Sequence, residues 1–172
     1  MIHLNIGSNL NSKYGTRSKN ISIAIDLLTT SNIDIKKISN FYETPSYPNR
    51  KFPKFLNIGV LCDYSLGYKK LLQKILLIQK KIGRAKSIKN SPRVCDIDII
   101  DFNGVIFKDK ELSLPHPKSH LRNFVLYPIR QIDPQWAHPI YKKNADFLIN
   151  RLSQKARIEI TRLLKSVIIK YD

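Results

Sequence analysis

The sequence predicts an α+β sandwich with additional elements at its C-terminal end. Three observations predict it: short apolar and β-branched runs, two longer segments with helical spacing, and their order along the chain, β-α-β-β-α-β. A chain of 172 residues and 20.0 kDa is large enough to bury a core without disulfides or metal staples. It contains no linker, repeat or low-complexity tract, so a single domain over residues 1–172 is expected.

Ile2, Leu4 and Ile6 alternate with polar residues up to Gly7-Ser8-Asn9, which reads as a first strand and a tight loop. Ile21, Ala24, Ile25 and Leu28 recur at helical spacing within 17–30. Ile33 to Tyr42 reads as a second strand that stops before Thr44-Pro45, and Pro48 and Pro53 forbid regular pairing over 46–54. Phe55 to Tyr64 is a third strand. Leu66, Leu71, Leu72, Ile75, Leu76 and Ile82 form the apolar stripe of a helix over 66–82. A basic loop, Gly83 to Ser91, leads to a fourth strand at 94–102, and Asn103-Gly104 suits a two-residue hairpin turn into Val105-Ile106-Phe107. A helix is expected around 119–131, then a loop through Pro134 and Pro139, then one or two helices and a short last strand within 144–170. The βαββαβ order specifies a sandwich of the ferredoxin-like kind.

Within the fourth strand, Arg93-Val94-Cys95-Asp96-Ile97-Asp98-Ile99-Ile100 is the most informative stretch. Side chains alternate along a strand, so Asp96 and Asp98 project side by side, roughly 6–7 Å apart, while Cys95, Ile97 and Ile99 face a core. Acids on a strand are expected to be paired or bound to metal. Two hard oxygen donors this close suit magnesium, which commonly takes one or two carboxylates together with substrate phosphates. Arg93 adds a planar fork for phosphate oxygens.

The net charge of +17 is spread along the whole chain, in a composition rich in lysine, isoleucine and asparagine. Such a surface attracts anions, a nucleotide included. No stretch approaches the roughly 20 apolar residues of a membrane span, and the first residues lack the pattern of a secretory signal. Cys62 and Cys95 each fall in an expected strand, as buried free thiols of a reducing compartment. A cytoplasmic location is expected.

Seven motifs occur in a fixed order: Gly7-Ser8-Asn9-Leu10, Phe41-Tyr42-Glu43-Thr44-Pro45, Phe55-Leu56-Asn57, Gly83-Arg84, Pro92-Arg93-x-x-Asp96-x-Asp98-Ile99, Leu114-Pro115-His116 and Arg122-Asn123-Phe124. In these the chain resembles the 6-hydroxymethyl-7,8-dihydropterin pyrophosphokinases of the folate pathway, from about residue 4 to 128. The resemblance implies transfer of the β,γ-pyrophosphoryl unit of ATP to the hydroxymethyl group of the reduced pterin, with release of AMP. It implies two magnesium ions held by Asp96 and Asp98, with Arg84, Lys86 and Arg93 acting on the transferring group. ATP contacts fall to Arg84, Lys86, Arg93, Ile99, His116 and Arg122. The pterin falls to Gly7, Thr44, Pro45, Phe55, Asn57 and Phe124, where two rings stack on a flat acceptor and an amide reads its polar edge. The family's members are usually monomers.

The chain departs from the family pattern at four places. The basic loop carries Ile88-Lys89-Asn90-Ser91 where a tryptophan is usual, and Trp136 lies too far downstream to replace it. Lys86 stands for an arginine, Phe55 for a tyrosine and Gln79 for a glutamate. An RNA-recognition module is the competing reading of a basic ferredoxin-like sheet, but Asp96 and Asp98 lie where RNA demands neutral or basic groups. A catalytically inactive relative that serves as an interaction partner is a third reading, resting on the missing loop tryptophan.

Overall fold

The computed structural model describes residues 1–84 and 91–167. The elements are β1 (Ile2–Ser8), α1 (Arg17–Thr29), β2 (Asp34–Ile38), β3 (Asn40–Thr44), β4 (Phe55–Asp63), α2 (Gly67–Ile82) and β5 (Asp96–Phe102). They continue with β6 (Phe107–Lys108), β7 (Ser113–Leu114), a 3-10 turn (Ser119–Leu121), α3 (Asn123–Ile132), α4 (Ala145–Arg151), α5 (Gln154–Ile158) and β8 (Thr161–Ser166). The fold is mixed α and β, built on an antiparallel sheet ordered β5-β1-β4-β3-β8, with β2 also paired to β4.

Alternation along the strands divides the sheet between two cores. Ile2, Leu4, Ile6, Ile58, Val60, Ile97 and Ile99 face α1 and α2, which contribute Ile21, Ile25 and Leu28, and Leu71, Ile75 and Ile82. On the opposite face Ile100 packs with Val125, Leu126 and Ile129 of α3, with Trp136, and with Leu148 and Ile149 of α4. Gly83, at a φ of 106°, ends α2 in the left-handed conformation that glycine adopts most readily, and releases Arg84 beside β5. Among the described residues no helix is long and apolar enough to cross a membrane.

The expected second strand is broken in two at Ser39. Its Oγ accepts the Gly59 N–H at 2.9 Å while its own N–H bonds Gly59 O at 3.0 Å, so a side chain replaces a backbone group in the ladder. Asn103 and Gly104, both at positive φ, form the expected turn, closed by Val105 N–H on Phe102 O at 2.9 Å. No hairpin with β5 follows: β6 pairs with β7 instead, because Phe107 packs on Tyr68 of α2 with ring centroids 4.7 Å apart. The helix expected over 119–131 is the 3-10 turn and α3, separated by an extended Arg122. The C-terminal stretch forms α4, α5 and β8, the last pairing with β3. Cys62 and Cys95 are free and buried, and burial pushes both thiols up to about 12.

Gly59 sets how closely α3 approaches the sheet. A Cβ there would lie 2.8 Å from Pro128 Cβ and 3.2 Å from Ile132 Cδ1. Overpacking of this kind costs about 1–3 kcal/mol, so Gly59→Ala is expected to lower the thermal unfolding midpoint by several degrees. An unchanged midpoint would show that α3 shifts freely.

Candidate active site

β5 supplies the floor of the site. Asp96, Asp98 and Ile100 point towards α3, while Cys95, Ile97 and Ile99 point into the core under α1 and α2. The pairing with β1 then shifts register: Asn5 lies opposite Asp98 and Leu4 opposite Ile99, but His3 lies opposite Asp101, which leaves Ile100 as the extra residue of a β-bulge. Asp101 therefore turns to α3's side as well and accepts Trp136 Nε1–H at 2.8 Å. The carbonyl of Ile100 accepts the His116 N–H at 2.9 Å and brings that histidine to the acids.

Cationic side chains converge on the two carboxylates. Arg84 donates to Asp96 Oδ1 at 2.7 Å, and Arg93 donates to Asp96 Oδ2. Gln79, buried at the end of α2, accepts both from Arg84 and from the Ile97 N–H, the latter at 2.9 Å. It thus fixes the guanidinium to β5, a role the sequence alone did not reveal. Arg93 Nε is buried and has no partner among the described residues, a donor suited to an anionic oxygen. Arg122 lies 3.4 Å from Asp98 Oδ2 and 5.4 Å from the centre of the Phe124 ring.

Asp98 sits where water is scarce. Although its side chain is 30% exposed, that exposure is to a concave cleft, and desolvation followed by the charge of Asp96 pushes its carboxyl up to about 6. His116 moves the other way: burial and then the Arg122 charge push it down to about 4, so the ring is neutral at pH 7. Its Nδ1 accepts the Lys118 N–H at 3.1 Å, which assigns the ring proton to Nε2. Nε2 lies 3.3 Å from Arg122 Nη1 and 4.0 Å from Asp98 Oδ2, so two donors meet at one point beside a carboxylate. An anionic oxygen satisfies both.

A cleft of about 720 Å³ opens above this floor. Gly7, Thr44, Pro45, Phe55, Asn57 and Phe124 line it together with Arg93, Asp96, Asp98 and Arg122, so most of the residues singled out in the sequence meet in one place. Gly7 leaves room for an amide: a Cβ there would lie 2.8 Å from Asn57 Oδ1. Asn57 Nδ2 donates to Thr44 Oγ1 at 3.3 Å, which orients its oxygen. Arg84 and His116 stand just behind the lining, in contact with Asp96 and Arg122. Ile99 does not join them; its side chain is buried on the opposite face of β5. Lys86 lies outside the described residues.

Asn9 holds the site's edge together. Its Oδ1 accepts the Arg93 N–H at 2.6 Å, and its Nδ2 donates to Ser46 Oγ and to Pro53 O, both at 3.1 Å. One side chain thereby joins the loop after β1 to Arg93 and to the 46–53 loop. Asn5, Lys118, Leu121, Asn123, Ala156 and Glu159 also line the cleft. Asn123 stands within the Arg122-Asn123-Phe124 motif and Asn5 is a polar residue between Leu4 and Ile6; the others show no pattern along the chain.

Two carboxylates on one strand face are hard oxygen donors that suit magnesium. No cluster of three or more His, Cys, Asp or Glu side chains able to hold a metal occurs among the described residues. The donor set therefore fits an ion that completes its shell with water and substrate oxygens, not one caged by protein.

Residues 3–134 match the family described as 7,8-dihydro-6-hydroxymethylpterin-pyrophosphokinase. A 2-amino-4-hydroxy-6-hydroxymethyldihydropteridine pyrophosphokinase of Aquifex aeolicus is 36% identical over 142 residues, 83% of this chain and 86% of that protein. Its namesake in Bacillus subtilis is 31% identical over 77% of this chain and 78% of its own length. The folic acid synthesis protein fol1 of Pneumocystis carinii is 34% identical over 81% of this chain, which spans 18% of that longer protein. Among solved structures, wild-type Plasmodium falciparum HPPK-DHPS superimposes with a TM-score of 0.68 at 14% identity. That match covers 94% of this chain and 47% of the plasmodial one, and shows the fold. The chain belongs to the 7,8-dihydro-6-hydroxymethylpterin-pyrophosphokinase family.

Proposed function

We propose that the cleft transfers the β,γ-pyrophosphoryl unit of ATP to the hydroxymethyl group of 6-hydroxymethyl-7,8-dihydropterin, releasing AMP. Family membership carries the reaction class, a pterin pyrophosphokinase of folate biosynthesis. The observation that carries the assignment of this site is the position of Asp96 and Asp98, on a floor shared by a cluster of cationic side chains and a slot lined by Phe55, Asn57 and Phe124. The β5-β1-β4 core, with β2 and β3 beyond β4, supports the ferredoxin-like reading, and the chain is read as one catalytic domain.

Transfer of this kind depends on positioning and charge neutralisation more than on covalent chemistry. Arg84, Arg93 and Arg122 bind the triphosphate, with Lys86 joining them from the basic loop. Neutral His116 donates its Nε2–H to a phosphate oxygen. Phe55 and Phe124 hold the pterin flat, Asn57 reads its amide-like edge, and Thr44 fixes the Asn57 amide. Asp96 and Asp98 hold magnesium, two ions by resemblance, which when bound neutralises phosphate charge and lowers the pKa of the acceptor hydroxyl.

Incubation with ATP, magnesium and the pterin is expected to give AMP only when the pterin is present. Asp96→Ala and Asp98→Ala are each expected to lower that rate by about a hundredfold or more, the scale of several kcal/mol of lost charge stabilisation. Near-wild-type rates in both would overturn the metal assignment.

The raised Asp98 carboxyl gives two pH effects of opposite sense. Binding of metal needs the carboxylate, so kcat/KM is expected to fall as pH drops through about 6, while a flat profile from pH 5 to 8 would remove Asp98 from that role. Stability runs the other way. An acid whose folded value is raised from 3.8 to about 6 loses its stabilising contribution as pH rises between them. Asp98→Asn is therefore expected to unfold at a higher temperature than wild type at pH 7, with the gap narrowing as pH falls from about 6 to 4. An Asn variant less stable than wild type at pH 7 would contradict this.

A further inference from the structure

Asn5 is a polar residue in the middle of β1, flanked by Leu4 and Ile6 and 5% exposed. Strand pairing uses backbone and does not call for an amide side chain. Its neighbours do. Across the strands Asn5 lies beside Gly59 of β4 and Asp98 of β5, on the face that α3 covers. Pro128, inside α3, rests against Gly59. A proline within a helix has no N–H for the carbonyl four residues earlier. Here that carbonyl belongs to Phe124, one of the two rings of the acceptor slot.

Asn5 Nδ2 donates to Phe124 O at 2.9 Å and to Ile58 O at 3.3 Å. The amide is oriented by these two carbonyls, since the reverse orientation would set its oxygen against two acceptors. One side chain of β1 thus supplies the hydrogen bond that Pro128 withholds, and ties the first turn of α3 to the sheet.

We infer that Asn5 is a positioning residue for the pterin slot, acting through the Phe124 carbonyl to hold the Phe124 ring at its distance from Asn57 and the floor. This rests on the reading of Phe124 as an acceptor face. Arg84, Arg93 and His116 draw their contacts from Gln79, Asn9 and Ile100 instead, and Arg122, although 5.4 Å from the Phe124 ring, is also held by Asp98 and His116. Loss of Asn5 should therefore weaken the pterin and spare ATP.

Removing the proline provides the test, because an alanine at 128 restores an N–H facing Phe124 O. Affinities of the full-length chain for the pterin and for a non-hydrolysable ATP analogue are measured by calorimetry for wild type, Asn5→Ala, Pro128→Ala, the double variant and Phe124→Ala. With a buried carbonyl left unpaired, Asn5→Ala is expected to bind the pterin about tenfold more weakly and ATP within about twofold of wild type. Pro128→Ala alone is expected to bind like wild type, and the double variant to recover to within about threefold of it. If Asn5→Ala does not fold, Asn5→Ser, whose hydroxyl is too short to reach Phe124, replaces it in the same cycle. A pterin loss that Pro128→Ala does not restore overturns the inference, as does an equal loss of ATP affinity. Undiminished pterin binding by Phe124→Ala overturns the reading of the slot itself, whereas a weakened Phe124→Ala beside an unaffected Asn5→Ala overturns only the role of Asn5.

Discussion

The contact between Gly59 and Pro128 sets the distance between α3 and the sheet, and the site is built across that distance. α3 carries Arg122 at its N-terminal boundary and Phe124 in its first turn. The sheet carries Asn57 two residues before Gly59 on the same face, and Asp98 two strands away. A side chain at 59 would lift the helix and widen the slot lined by Phe55, Asn57 and Phe124. The absent side chain at Gly59 and the absent N–H at Pro128 are thus linked: the first admits the helix, and the second leaves a carbonyl that the sheet must satisfy.

Electrostatics adds a second layer to this frame. Asp96 is shared by Arg84 and Arg93, and Asp98 faces Arg122 and a neutral His116, so the buried acids are neutralised by the groups that a triphosphate attracts. Buried charges are tolerated only when paired. In the proposed reaction a polyphosphate with its metal would offer new partners to both sides of each pair, carboxylate to metal and guanidinium to phosphate, so substrate binding would exchange ion pairs and strand no charge. Three of the supporting contacts come from uncharged amides, those of Asn5, Asn9 and Gln79.

Strands and helices were readable where periodicity was strong. Alternation at 2–6 and 94–102 and the stripe at 66–82 mark β1, β5 and α2 to within a few residues. The acids, the arginines and the aromatic pair could be named because their chemistry is distinctive and their motifs lie in order. What stayed hidden depends on contacts made at long range. Ser39 breaks a strand only because it meets Gly59, β6 leaves β5 only because Phe107 meets Tyr68, and Gln79 matters only because β5 passes its oxygen. Ile99 differs from its neighbour for the same reason: next to Asp98 in sequence, its side chain lies on the opposite face of the strand, in the main core.

The bulge at Ile100 divides β5 into two phases. Ahead of it the even-numbered residues 96, 98 and 100 face α3; beyond it Asp101 does, and Phe102 returns to the main core. The extra residue works as a phase shifter, letting one strand keep acids in the cleft at one end and an aromatic ring in the apolar layer at the other. Regular pairing of the same residues, with no bulge, would set 96, 98, 100 and 102 on one face. Either Asp96 and Asp98 would then turn into the layer beneath α1 and α2, or Phe102 would turn out of it, so the acids and the ring keep their separate faces only through the bulge.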